Sequence, residues 1–285
     1  MGEAKRRAAE IQRLKNATPE EAARQQQIRD DEKLLARGVV VGSRDPGPTA
    51  AMARRLAAML ETAKTDGNIT PPIEFLHSKV DASLQSLGPL EIACRKGCAH
   101  CCHTWVSVTA PEALYVAKAV KELGRTAVDR VLIANEKTRD LNFDARAQRH
   151  LPCPLLDGDS CSIYEFRPDA CRVAASADAG KCGRAFLGLS SEDVPIPTAY
   201  MSARTVYSVA VMTALKIADL PQTTYEMNGA LACALQMEDA ERAWLSGHDI
   251  FENVMRDPGD TSIFPIVERM FEKATGMPTV EKNKG

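Results

Sequence analysis

Cys94-Arg95-Lys96-Gly97-Cys98-Ala99-His100-Cys101-Cys102-His103 places four cysteines within nine positions, and the domain is read outward from it. On a helix, positions 94, 98, 101 and 102 fall at i, i+4, i+7 and i+8, a single stripe. In a loop turned at Gly97, the same spacing lets three or four sulfurs converge on one ion or cluster. Either backbone aims the sulfurs together. A second group follows at Cys153, Cys161, Cys171 and Cys182, and Asp157-Gly158-Asp159 is turn chemistry that sets Cys153 and Cys161 on either side of a chain reversal. Core packing explains one buried cysteine, but not eight of the chain's nine crowded between Cys94 and Cys182 with none in the first 93 residues. In a chain that is not exported, thiols stay reduced, so the clustering points to metal ligation or redox chemistry. Two groups of four thiolates suffice for two four-sulfur sites, and thiolate favours zinc or iron–sulfur over magnesium or calcium.

Neighbouring Cys101 and Cys102 constrain the arrangement, because adjacent side chains diverge and do not readily fill two corners of one tetrahedron. They serve two metal centres, or one ligates and the other packs; a vicinal disulfide is the strained third option. His100 and His103 read as outer-sphere or surface groups beside so many sulfurs, with direct ligation as the alternative. Arg95, Lys96, Arg167, Arg172, Lys181 and Arg184 lie close in sequence and would favour deprotonated sulfur, Arg167 and Arg172 above all because they bracket Cys171. Cys233 sits apart in the apolar run Ala230–Leu235 and reads as core.

The surroundings are helical. Thr18-Pro19-Glu20-Glu21, Thr109-Ala110-Pro111-Glu112 and Thr223-Thr224-Tyr225-Glu226 each present the capping-box pattern, threonine followed three residues later by glutamate. Helices are expected to about 35 from the first of these, over about 50–64, 73–87 and 126–147, from Thr109, over about 199–217, and onward to about 271. No stretch alternates long enough to make a confident strand, and only the segment from Cys153 to Cys182 offers a short hairpin. The fold class is therefore mainly α: a helical domain around a loop-rich cysteine site, with an N-terminal helical arm. Its expected divisions are a charged arm over 1–37, a linker over 38–49 marked by Gly42, Pro46, Gly47 and Pro48, a helical domain over 50–278 holding a cysteine module at 92–184, and a disordered tail over 279–285.

Composition narrows the partners. The chain has 285 residues, 45% hydrophobic and 26% charged, with a formal net charge of -2, so no global field concentrates nucleic acid or an anionic membrane. The basic start from Lys5 to Lys15 is interleaved with acids and has no aromatics to stack bases, which argues against nucleic-acid binding. No segment approaches the roughly 18 apolar residues of a membrane span, and the start has no apolar leader; Arg6 stands where a myristoylation motif needs serine or threonine. A cytoplasmic location and an unknown protein partner are the expectations. No phosphate loop, dinucleotide fingerprint or Ser-His-Asp arrangement supplies another chemistry.

Beyond spacing, the chain resembles the YkgJ-type cysteine cluster family, described as zinc- or iron-chelating proteins with a CxxCxxCC-type domain. The resemblance covers Ile92 to Cys182 and rests on Cys94-x3-Cys98-x2-Cys101-Cys102, Thr109-x2-Glu112, Cys153-Pro154, Gly158-x2-Cys161-x-Ile163-Tyr164, Arg167-Pro168-x2-Cys171-Arg172, Ser176 and Cys182. It implies ligation of zinc or iron, the latter as an iron–sulfur cluster, by Cys94, Cys98, Cys101, Cys102, Cys153, Cys161, Cys171 and Cys182. The expected function is a metal-binding protein with such a centre, of unproved activity and with no catalytic residue assigned. Cys94-x3-Cys98-x2-Cys101 also has radical SAM spacing and is similar to the pattern of flagellin lysine N-methylases. An iron–sulfur enzyme of electron transfer or SAM-dependent methyl transfer is thus the alternative, although the chain lacks the strand pattern of a partial barrel. A metal-stabilised interaction module is the second alternative.

Overall fold

The structure, a computed structural model, describes residues 18–37, 45–87, 92–95, 97–189, 193–257 and 263–278. The basic stretch from Lys5 to Lys15, the linker residues 38–44, Lys96 and the 279–285 tail lie outside them. The described residues are mainly helical, with helices α1 (Pro19–Arg37), α2 (Gly47–Asp66), α3 (Thr70–Ser86), α4 (Ala110–Glu122), α5 (Arg125–Thr138), α6 (Phe143–Arg149), α7 (Asp169–Arg172), α8 (Ala179–Phe186), α9 (Thr198–Ile217), α10 (Met227–Gln236), α11 (Ala240–Leu245) and α12 (Phe264–Thr275). Two antiparallel strand pairs complete them: β1 (Ser107–Thr109) with β4 (Thr224–Glu226), and β2 (Leu156–Asp157) with β3 (Ser160–Cys161).

Local chemistry sets several of these boundaries. The first two expected capping boxes form: Glu21 accepts from the Thr18 amide at 2.7 Å, and the Glu112 carboxylate accepts from the Thr109 amide at 2.9 Å. The third does not. Thr224 to Glu226 is strand β4, and α10 starts one residue later with Glu226 itself as N-cap, accepting from the Gly229 amide at 2.7 Å. Pairing with β1 outweighs the local cap, because Val108 and Tyr225 stand opposite each other and are fully buried. The single helix expected over 126–147 is two, α5 and α6, because Asn142 is extended and caps α6 by accepting from the Ala145 amide at 2.9 Å.

The core sits between these helices. α9 packs against α2 and α12, while α10 packs against α4 and α5. Tyr207, Met212, Leu215, Tyr225, Leu231, Trp244 and Phe251 are wholly enclosed there. The N-terminal helix is not simply solvated, since α1 lies on α2 and Asp31 pairs bidentately with Arg54, at 2.8 Å from Nε and 2.5 Å from Nη2. Cys233 packs against the core as expected, its thiol donating to the Ile250 carbonyl at 2.8 Å. No helix among the described residues is long and apolar enough to cross a membrane.

Candidate metal centre

The eight cysteines between Cys94 and Cys182 come from four segments of loops and short elements, and backbone and side-chain hydrogen bonds hold those segments in place. Gly97 turns the first segment with φ +87°, a conformation open to glycine without strain. A short 3-10 helix, His100–His103, follows and carries Cys101 and Cys102 side by side. The backbone is thus a loop turned at Gly97, and the continuous stripe of a helix does not form. The Cys153 amide donates to the Cys102 carbonyl at 2.7 Å, which pins the second group to the first. Downstream, the Ser176 amide donates to the Cys94 sulfur at 3.2 Å, and the Ala93 amide donates to the Ser176 carbonyl at 2.8 Å.

Cys153 and Cys161 flank the β2–β3 hairpin. Leu156 pairs with Cys161 and Asp157 with Ser160, and Gly158 takes φ +57° at the turn. Cys171 lies on α7, which two side chains fix in place. Glu112, the capping-box partner of Thr109 at the start of α4, also accepts from the Asp169 amide at 2.9 Å. Arg172, buried, donates to Asp81 on α3 at 2.6 Å, to the Arg167 carbonyl at 2.9 Å and to the Glu165 carbonyl. Cys182 is on α8, whose Asp178 cap accepts from the Lys181 amide at 2.9 Å.

The electrostatics divide the sulfurs into two neighbourhoods that meet at the adjacent pair. Burial pushes the Cys94 thiol up, and charge on Cys98, Cys101 or Cys182 pushes it further. Burial likewise raises Cys171, with charge on Cys153, Cys101 and Cys161 adding to it. Cys153 is pushed up to about 11, chiefly by burial. Between these groups, the hydrogen bond from Cys102 lowers Cys101 and raises Cys102. Cys101 is thus felt from both sides.

Of the expected cations, Arg167 performs the part assigned from sequence: its charge favours thiolate at Cys101, Cys161 and Cys171 while its guanidinium stacks over Tyr164 at 3.6 Å. Arg172 commits its donors to the brace described above. His100 and His103 both pack on Phe186 of α8, as does His150, with ring centroids 5.5, 4.9 and 4.7 Å away. That packing joins the first cysteine segment to α8 and so to Cys182.

The donor set suits a thiophilic metal. Among the described residues, no three of the sulfurs lie within 4.8 Å of one another; the trio that does close within that distance is His77, Glu112 and Asp169. Sequence reasoning assigned no role to His77 or Asp169, and it read Glu112 as a helix cap and part of the family pattern. Isolated histidines and aspartates more than thirty residues apart carry no spacing signal.

A mainly helical protein with a cysteine-rich, loop-built segment is the class that these features define. Residues 93–189 match the CxxCxxCC family model, described as "Putative zinc- or iron-chelating domain". Comparison with curated proteins and with solved structures gives no match.

Proposed function

We propose that the domain chelates zinc or iron through Cys94, Cys98, Cys101, Cys102, Cys153, Cys161, Cys171 and Cys182, arranged as two four-thiolate centres that share the Cys101-Cys102 step. The observation that supports this reading is the Cys153–Cys102 backbone hydrogen bond, which brings the second group to that step, together with the charge of Cys101 acting on Cys94 on one side and on Cys171 on the other. Cys94, Cys98, Cys101 and Cys182 make one centre; Cys102, Cys153, Cys161 and Cys171 make the other. Adjacent side chains diverge, so giving one to each centre resolves the steric problem of placing both on a single ion. A tetrahedral thiolate site with metal–sulfur bonds near 2.3 Å has edges of about 3.8 Å, so the sulfurs draw inward when metal binds. The cation offsets their mutual repulsion, and Arg167 contributes a further positive charge.

The role is structural or electron-carrying according to the metal. As zinc sites, the two centres would contribute on the order of 10 kcal/mol each to folding, and the flanking helices would serve a protein partner. As iron–sulfur centres they would carry electrons. The strands among the described residues are two pairs of two or three residues, far short of the partial barrel that radical SAM chemistry needs. The test is metal and acid-labile sulfide content with an absorption spectrum on anaerobically purified protein. Colourless protein with zinc, whose chelation lowers hydrogen-exchange protection over 93–189, supports the structural form. Brown protein with iron and sulfide supports the electron-carrying form. Protein that takes up neither zinc nor iron refutes the proposal.

A further inference from the structure

We propose that His77, Glu112 and Asp169 form a second cation site, which takes one divalent first-row metal through an imidazole nitrogen and two carboxylate oxygens, chemically distinct from the thiolate centres.

Three helices each supply one ligand: His77 from the middle of α3, Glu112 from the first turn of α4 and Asp169 from the start of α7. Their ligand atoms all lie within 4.8 Å of one another. His77 is only 5% exposed, and its Nε2 has no hydrogen-bond partner. Asp169 Oδ1, equally enclosed and equally unpartnered, faces it at 3.6 Å, too far for a hydrogen bond. Two buried polar atoms left facing each other without partners are costly, and a shared cation satisfies both at once.

Glu112 is already oriented for such a role. Its Oε2 accepts the Thr109 amide at 2.9 Å and the Thr109 hydroxyl at 2.7 Å, while its Oε1 accepts only the Asp169 amide, at 2.9 Å, and keeps a lone pair. Those bonds fix the carboxylate as outer-sphere partners fix a metal ligand. Two carboxylates and an imidazole match a dication in charge and suit manganese, iron(II) or zinc. Arg172, the cation whose charge both His77 and Asp169 feel, is engaged by Asp81 and two backbone carbonyls. A cavity of about 90 Å³, lined by Glu112, Asp169, Ser107, Ser208 and Tyr207, adjoins the carboxylates and has room for waters to complete the ion's shell.

Manganese(II) alone is the probe, because thiolates compete poorly for it. The full chain as purified under reductant, with its thiolate centres loaded, is titrated with Mn²⁺ and free ion is followed by electron paramagnetic resonance. One bound equivalent per chain is expected in the wild type, with affinity reduced at least tenfold in Glu112→Gln and in Asp169→Asn. Glutamine still serves a capping box, so Glu112→Gln keeps α4 capped. The wild-type spectrum is a test that needs no variant: the bound ion should show coupling to one imidazole nitrogen. No bound manganese, no nitrogen coupling, or wild-type affinity in both carboxylate variants would each overturn the site; a bound ion without nitrogen coupling would place it elsewhere.

Discussion

Arg172 carries a full charge yet is 6% exposed, and its guanidinium ties three pieces of chain together: Asp81 on α3, the Glu165 and Arg167 carbonyls, and through them the loop that carries Cys171. Arg172→Ala should cost about 3 kcal/mol in denaturant unfolding, since buried charge-assisted hydrogen bonds are lost and two carbonyls go unpaired. Arg172→Lys should recover little of it, because an ammonium cannot reproduce the planar fork. The sequence marks Arg167 and Arg172 alike as cations beside Cys171. Only packing against α3, 91 positions away, separates a thiolate neighbour from a brace. Tyr207 makes a second prediction. Its hydroxyl, wholly buried, donates to the Lys79 carbonyl at 2.8 Å and shares a hydrogen bond with Ser83, and burial pushes it up to about 12. The folded state therefore holds a proton that the unfolded state releases above about pH 10. This contribution is fully present below pH 10 and is lost as pH rises through 12, about 3 kcal/mol over that window. Wild-type stability measured from pH 9 to 12 should fall more steeply than that of Tyr207→Phe, whose stability at pH 7 should be about 1 to 2 kcal/mol lower from the lost hydrogen bonds.

Among the elements, those built by local chemistry are legible in sequence, and those built by contact are not. The capping boxes at Thr18 and Thr109 and the hairpin turn at Gly158 depend on residues within four positions of one another, and they form as read. The β1–β4 pair depends on segments more than a hundred residues apart, and strands of three residues show no alternation to detect. It is this pair that overrides the third capping box. The break between α5 and α6 was present in the sequence as Asn142, a good N-cap residue, but was masked by the apolar spacing that continues across it. The β2–β3 hairpin sets the spacing of Cys153 and Cys161. Gly158→Ala meets no atom within 4 Å, so its effect is backbone strain alone at φ +57°. The expected loss is about 1 kcal/mol, read as a shift of the denaturant midpoint, with Gly158→Asn costing less because asparagine tolerates the left-handed region. A loss several times larger would show that the turn is more tightly packed than described.

Across the whole molecule, a helical core holds a loop-rich site that it does not itself enclose. Helices α2, α4 and α9 each supply eight of the buried hydrophobic residues, whereas seven of the eight site cysteines lie outside regular helices of eight or more residues. The cysteine clustering is legible without the fold, because a proposal of thiolate ligation depends on residue type and number. The proposed division of sulfurs between centres is legible in sequence only as an argument from adjacent side chains; the hydrogen bond from Cys153 to Cys102 is a contact between segments 51 positions apart that no spacing announces. The central claim is that two thiolate centres meet at that step. The measurement that tests it most directly is the number of zinc plus iron atoms per chain in anaerobically purified wild type, Cys98→Ala and Cys171→Ala. Two separate centres predict that each variant loses the metal of one centre and keeps that of the other, so the two losses sum to the wild-type content. Metal content unchanged in both variants would contradict the account, as would a wild-type chain that holds no metal.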